Sequence, residues 1–401
     1  MIEPEQGEAK PEGAWTVRVA PKITAVPAPV WDALATHAPA GEDQDNPFVR
    51  HAFLSALEEA GCVGRGTGWS SAHLVAEAPD GTIAGVAPCY LKTHSQGEYV
   101  FDYAWADAYE RAGGRYYPKL QVSVPFTPVT GPRFLADARN PQARLALAEG
   151  LRTLRAQAGA SSAHVTFLPE ADWEALAGAG YLQRTDQQFH WFNEGYASFE
   201  DFLGALASRK RKAIRRERRD ALSGGLTVEA LTGPAIEERH WDAFYRFYMD
   251  TGSRKWGRPY LNRRFFSLVG ERMADRILLV MARREGRYVA GALNFIGGSR
   301  LYGRNWGCIE DHPFLHFELC YYQAIDFAIA RGLDRVEAGA QGEHKLARGY
   351  RPVTTYSAHE IGDPGLRRAV AAYLERERLS VAEVGSVLAE ATPFRRGEID
   401  D

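Results

Sequence analysis

Arg276-Ile-Leu-Leu-Val-Met-Ala-Arg283, Arg287–Ile296 and Arg300–Trp306 are consecutive apolar runs of strand length, separated by the turns Glu285-Gly286 and Gly297-Gly298. Strand, turn, strand, turn, strand reads as an antiparallel meander. A helix is expected next, from about Pro313 to Ala330, with Gly332 as its cap. A short strand, Arg335–Ala338, and a last one near Thr354–Glu360 complete the segment. Meander, helix, strand, loop, strand is an α+β unit.

The same order can be traced upstream. His73-Leu-Val-Ala-Glu77 and a single strand Thr82–Leu91 flank Pro79-Asp-Gly81, a hairpin signal. A helix at about Gln142–Gln157, a strand Ala163–Leu168, a short helix Ala171–Ala177 and a strand near Gln187–Phe192 follow. Finding the order twice points to a tandem duplication, on order alone, because the halves share no obvious residues. Between them Ser198–Leu222 reads as one long amphipathic segment, with Leu203, Leu206, Ala213/Ile214 and Ala221 on one side and cations on the others. Ser198 followed by Asp201 has capping-box form. A helix over about Leu366–Leu388 closes the chain. The expected organisation is a disordered leader (1–14), a first domain (15–195), a basic helix (196–225) and a second domain with the closing helix (226–401).

Composition narrows the function classes. The 401 residues are 45% hydrophobic and 25% charged, which is ordinary for a globular chain. Nothing approaches the ~18 uninterrupted apolar residues of a membrane-spanning helix. The acidic, proline-broken start is the reverse of a signal peptide. Cys62, Cys89, Cys308 and Cys320 show no CxxC pair or disulfide spacing, which suits a cytoplasmic protein and excludes a cysteine zinc site. The net charge of −3 hides an uneven distribution. Arg209-Lys-Arg-Lys-Ala-Ile-Arg-Arg-Glu-Arg-Arg219 holds 8 of the 48 basic residues against one acid, a local +7 on a body of −10.

Several stretches carry a family resemblance: Asn46-Pro-Phe48 leading into Phe53–Glu58; Trp105–Tyr109 with Tyr116-Tyr-Pro-Lys119 and Pro125-Phe-Thr-Pro128; and Ser208–Arg218. The second half adds Asp250-Thr251, Lys255-Trp-Gly257, Pro259-Tyr260, His316–Tyr322, Gly339–Lys345, Arg348-Gly-Tyr350 and Pro352. Together these resemble the FemAB-like N-acyltransferases of bacteria, often labelled peptidoglycan biosynthesis or recognition proteins. The resemblance implies two GNAT-type domains in tandem and, as in the Fem enzymes, transfer of an amino acid from aminoacyl-tRNA to the amine of a cell-wall peptide. The wider superfamily takes acyl groups from coenzyme A instead. Its pyrophosphate motif, Gln/Arg-x-x-Gly-x-Gly/Ala at a helix N-terminus, is met nowhere here; Arg304-Asn-Trp-Gly307-Cys-Ile309 comes closest and fails at the last position. The absence weakens coenzyme A as donor.

The strongest candidate for chemistry is the glycine-punctuated loop Gly339–Pro352, which gathers Glu343, His344, Lys345, Arg348 and Arg351. Its glycines let backbone N–H groups approach an anion, and Lys345 is a compact ammonium in a chain that uses only 8 lysines. Acyl transfer to an amine needs a base and oxyanion stabilisation. His344 ranks first as base because imidazole titrates near neutrality. Glu318 ranks second, and water could serve instead. Lys345, Tyr302 or a backbone N–H could hold the oxyanion. Asn305 could hydrogen-bond substrate and Trp306 could wall its pocket. Lys255, Trp256 and Tyr260 in one loop, and Tyr117 and Lys119 in another, either line an acceptor site or simply pack. His312 and His316 lack a complete ligand set, so no metal is expected, and Cys320 reads as core. No bound cofactor is expected, only a donor substrate.

Arg209, Lys210, Arg211, Lys212, Arg215 and Arg216 are the candidate phosphate or tRNA contacts. Their mutual repulsion calls for anions, supplied by acidic protein surface or by phosphate: tRNA, a wall precursor, coenzyme A or the inner membrane leaflet. Fem enzymes carry a helical insertion at a similar place in the order. The rivals to aminoacyl transfer are a coenzyme A-dependent acyltransferase acting on a small amine, and a non-catalytic protein that binds a wall precursor or nucleic acid.

Overall fold

The computed structural model describes residues 14–37, 41–255, 259–340 and 342–395. The expected leader, apart from Ala14, and Trp256 lie outside the described residues, and Lys255 and Glu343 are described as backbone only. The described residues contain fifteen strands: Thr16–Ala20 (β1), Trp69–Ser71 (β2), His73–Glu77 (β3), Ile83–Ala87 (β4), Cys89–Lys92 (β5), Lys119–Val122 (β6), Leu135–Ala136 (β7), Ser162–Leu168 (β8), Leu182–Phe192 (β9), Leu226–Thr232 (β10), Ile277–Arg284 (β11), Arg287–Ile296 (β12), Arg300–Cys308 (β13), Arg335–Glu337 (β14) and Arg351–Ile361 (β15). Four form a small sheet in the order β1-β3-β4-β7. The other eleven form one sheet in the order β10-β11-β12-β13-β14-β9-β15-β8-β6-β5-β2.

Two parallel pairs, β13/β14 and β6/β8, lie on either side of a central antiparallel pair, β9/β15. Strand β9 belongs to the first half in sequence yet sits between β14 and β15; β15 belongs to the second half yet sits between β8 and β9. Each half is completed by a strand of the other. The architecture is α+β with two GNAT-like halves, and the sheet runs through both without a break.

Three expectations are corrected. The strand Thr82–Leu91 is broken at Pro88 into β4 and β5, which enter different sheets, because proline has no N–H for a central ladder. The amphipathic segment is two helices, Phe199–Ala205 and Ser208–Ala221. Leu206 between them is extended and buried, bridging to Phe394, while the Ala207 N–H donates to the Pro393 carbonyl. The expected cap is present, with Ser198 accepting from the Asp201 N–H at 3.1 Å. The helix expected from Pro313 starts at Leu315, widens to a π turn over Glu318–Tyr322, and continues as Gln323–Ala330.

One core fills the space between the first half's helices His51–Glu59 and Ala28–Ala35 and the second half's helices Glu238–Lys255 and Arg263–Met273. A second lies on the opposite face of β11–β14, under Ser208–Ala221 and the π turn. Gly307 is where the helix Glu238–Lys255 meets β13: a Cβ there would collide with the Phe247 backbone. This glycine of the near-miss phosphate motif serves packing.

Candidate active site

Strands β13 and β14 pair in parallel only from Arg300/Arg335 to Tyr302/Glu337. Beyond that point β13 continues to Cys308 while β14 ends, so the two diverge and open a slot in the sheet. The register of β12 on β13 shifts here, with Leu293 opposite Asn305 and Asn294 opposite Gly303. Arg304 is left over as a bulge residue at the mouth of the slot. A cavity of about 110 Å³ fills the opening, lined by Asn294 and Gly303–Trp306 from the strands, by Ala338 just past β14, by His316, and by Cys320 and Tyr321 from the π turn. Inserting one extra residue into a helical turn rotates the side chains that follow it.

Lys345 is bonded to Ala338, one of the residues that line this cavity. Gly339, Gly342 and Gly349 all take positive φ, which turns the chain around the 3₁₀ segment Glu343–Arg348. Lys345 is 4% exposed, and its Nζ donates to the carbonyls of Ala338 at 2.5 Å and Gly339 at 3.1 Å. Two of its three protons therefore hold the exit of β14 in shape. Burial lowers its pKa to about 8. His344 is exposed at the rim, and its Nε2 lies 3.0 Å from the Tyr321 hydroxyl. Partial burial, with Arg348 and Lys345 adding to it, holds the His344 imidazole below its ordinary pKa.

The other predicted residues divide. Asn305 and Trp306 line the cavity, with Trp306 packed against the His316 ring at 5.2 Å. Tyr302 is fully buried on the opposite face and donates to Asp43 at 2.8 Å, tying a first-half loop to the sheet. Glu318 is 0% exposed; Arg218 donates to both of its oxygens at 3.0 and 3.1 Å, and Gln323 to one at 2.8 Å. That saturation turns it away from proton transfer with substrate and makes it the anchor of Arg218. Arg348 donates to the His344 carbonyl at 2.7 Å and to Glu217 at 2.8 Å, and its guanidinium sits 3.5 Å from the centre of the Phe317 ring. Arg351 is outside the slot, paired with Glu194 at 2.6 Å. Tyr260 stacks on Phe126 at 4.8 Å. Tyr117 and Lys119 belong to the first half: the Tyr117 hydroxyl is 2.8 Å from Ser95, and Lys119 is buried against Glu98 at 2.6 Å and Asp102 at 2.5 Å. His312 faces Glu310 at 3.0 Å.

The basic helix Ser208–Ala221 docks through its inner face. Glu217 accepts from the Tyr322 hydroxyl and from Arg348, while Arg218 reaches Glu318 and Asp326. Arg209, Lys210, Lys212 and Arg216 are exposed, with no ion-pair partner among the described residues. Arg215 pairs with Glu200, and Arg211 turns back towards the Gly204 carbonyl at 3.5 Å.

Sequence reasoning passed over Tyr321, Arg304 and Asn294. Tyr321 lies in a quoted motif, but only the π turn aims it at the cavity, and Arg304 matters through a bulge with no local sequence signature.

The slot between the diverging parallel strands has Tyr321 on its wall, His344 hydrogen-bonded to Tyr321, and the buried Lys345 bonded to the carbonyl of Ala338, on a GNAT-like fold. The chain belongs to the FemAB-like family, described as peptidoglycan biosynthesis/recognition, whose model matches residues 22–396. Among solved structures it is similar to FemX (14% identity, TM-score 0.54, covering 86% of this chain and 98% of that one). It is also similar to the C-terminal domain of a putative lysylphosphatidylglycerol synthetase from Agrobacterium fabrum (11%, TM-score 0.54, 88% and 96%). A third likeness is to L-PGS from Bacillus licheniformis (11%, TM-score 0.50, 89% and 100%). No curated protein matches the chain in sequence.

Proposed function

We propose that this acyltransferase moves an aminoacyl group from aminoacyl-tRNA to an amine acceptor at the β13/β14 slot, in cell-wall peptide biosynthesis. The observation that carries the reading is the coupling of the basic helix to the slot. Its inner face is fastened to the π turn and to the Lys345 segment through Arg218 and Glu217, while four cations face outwards unpaired among the described residues. A polyanion held on that outer face would present its end beside the cavity. A coenzyme A donor is disfavoured by the connection after β13. Where a pyrophosphate would need converging N–H groups, this chain has Ile309-Glu-Asp-His-Pro-Phe314, with two acids and a proline that has no N–H.

In this reading the acceptor amine attacks the ester carbonyl of the donor. A C–N bond forms, the C–O bond to the ribose breaks, and the amine proton passes by way of Tyr321 and His344 to the leaving hydroxyl. The environment that lowers the His344 pKa favours its neutral, proton-accepting form. Lys345 shapes the backbone at Ala338–Gly339 and keeps one proton for the oxyanion. FemX and the lysylphosphatidylglycerol synthetases share the fold, which supports this class of transfer.

Titration of aminoacyl-tRNA binding against salt tests the donor. About four phosphate contacts give a slope of roughly −3 in log K against log salt. Replacing Arg209, Lys210, Lys212 and Arg216 together by Gln should flatten it while the buried Ile214 keeps the helix docked. A flat slope in the intact protein, or turnover supported by acetyl-coenzyme A alone, would sink the tRNA donor.

A further inference from the structure

The reaction scheme leaves Arg304 unused. This half-buried residue stands at the bulge where the slot cavity meets a smaller cavity on the side of the first core, walled by Phe48, Phe53, Phe126, Phe265 and Phe295. Arg304 and Asn305 line both cavities. A guanidinium carries five N–H donors. Among the described residues those of Arg304 meet one acceptor, the Phe126 carbonyl at 2.5 Å. Burial holds Arg304 below its ordinary pKa, and the groups that favour its charge are the phenols of Tyr99 and Tyr248, not carboxylates. Other enclosed cations of this chain are differently placed. Lys119 pairs with Glu98 and Asp102, and Arg300 with Glu42 and Glu337. Arg133 makes no ion pair among the described residues, but it donates to the carbonyls of Val129, Gly131, Pro132 and Thr166. Arg304 is nevertheless held in place. Phe126, whose carbonyl orients it, is fixed at φ 60° by an N–H bond to the Gly97 carbonyl at 3.1 Å, and its ring stacks on Tyr260 at 4.8 Å. Beside it, the Asn305 amide has no hydrogen-bond partner among the described residues.

We infer that Arg304 and Asn305 bind a carboxylate at the mouth of the slot. Buried charges are paired as a rule, and here the missing partner faces a cavity. The planar fork of a guanidinium matches a carboxylate in two parallel N–H···O bonds, and Asn305 adds a neutral donor. A phosphate carries up to two charges and a third oxygen, and the residues lining the two cavities include no second arginine or lysine. The smaller cavity opens on the first core, on the face of the sheet opposite the basic helix, which packs on the second core. A donor held by that helix and the carboxylate therefore come from opposite sides. The carboxylate falls to the acceptor, which is then an amine that also carries an acid group. Plain amines and amino sugars, whose only charge is the amine, are selected against. The assignment to the acceptor rests on the transfer reading; the carboxylate binding does not.

The test is a ligand-observed NMR titration of the full chain with glycine, 4-aminobutyrate and 6-aminohexanoate, each against its own amide, which keeps the shape and removes the charge. At least one acid should bind roughly tenfold or more tighter than its amide. Arg304→Gln should erase that preference. Arg304→Lys should recover only part of it, because an ammonium keeps the charge without the fork. Since Arg304→Gln also removes the tie to Phe126, Asn305→Asp supplies a second variant that leaves this tie in place. Its added carboxylate should weaken the acid and spare the amide. Lys345→Ala should keep the preference while losing turnover, which separates a failure of transfer from a failure of this site. No acid bound at about 10 mM, acids and amides bound equally, or a preference intact in both Arg304→Gln and Asn305→Asp would overturn the assignment. Inorganic phosphate bound more tightly than every acid, and lost in Arg304→Gln, would replace it with a phosphate site.

Discussion

At the scale of single residues, Lys345 and His344 do different things although they are neighbours. Lys345 is committed to two carbonyls, so Lys345→Ala should cost roughly 10²-fold in turnover, the scale of losing an oxyanion donor, with substrate affinity little changed. Lys345→Arg should rescue little, because the planar fork cannot reproduce a point contact with the carbonyls of adjacent residues. Steady-state kinetics of the two variants decides it; a change confined to KM would return Lys345 to substrate binding. For His344 the sign matters. The base must be neutral, and its surroundings lower its pKa from 6.5. Turnover should therefore be flat through neutrality, fall on the acid side of 6.5 as His344 is protonated, and fall again above about pH 8 as Lys345 loses the proton it keeps for the oxyanion. His344→Gln should abolish the acid limb, and Tyr321→Phe should depress the plateau without moving that limb. An acid limb that survives unchanged in the glutamine variant would assign the proton to the substrate amine or to water.

At the scale of elements, the basic helix shows how a charge run can be half structural. Eight cations in eleven residues are legible in the sequence; which of them turn inwards is decided by the π turn it packs on. Arg218→Ala would leave the fully buried Glu318 carboxyl without its ion-pair partner and with Gln323 as its remaining donor, at a cost of about 3 kcal/mol or more. Adding Glu318→Gln should recover much of that loss in urea unfolding, because the stranded carboxyl is gone. If the double variant is no more stable than the single, the pair is not what holds the helix. The meander, the main helices and the Lys345 loop could be read from apolar runs, glycines and caps, because those signals are local. The break at Leu206, the π turn at Glu318–Tyr322 and the bulge at Arg304 could not. Each depends on a partner far away in sequence, such as Phe394 for Leu206.

At the scale of the whole molecule, the duplicated order of elements was visible, but the exchange of β9 and β15 between the halves was not, since either pairing satisfies the same apolar pattern. The exchange buries histidines at the seam. His164 on β8 and His359 on β15 share a 2.7 Å contact between their Nδ1 atoms, and His190 on β9 is equally enclosed. Burial pushes His164 down to about 3, with Lys119 adding to it, and holds His359 and His190 well below their ordinary value. In the unfolded chain all three titrate near 6.5. The unfolded state therefore binds more protons below that pH, so stability is full above about pH 7 and declines as pH falls, by up to ~1.4 kcal/mol per pH unit for each histidine. Because the seam is shared, acid should open both halves together. Calorimetry between pH 7.5 and 5 should show one transition moving to lower temperature, and residues 14–197 expressed alone should show no cooperative transition, with β8 lacking its β15 neighbour and β9 unpaired. Two transitions with separate pH dependence would mean that each half is stable without the strand it receives. The acyl-transfer slot would then not depend on the first half for its integrity, since β14 would close the second half's sheet without β9 beside it.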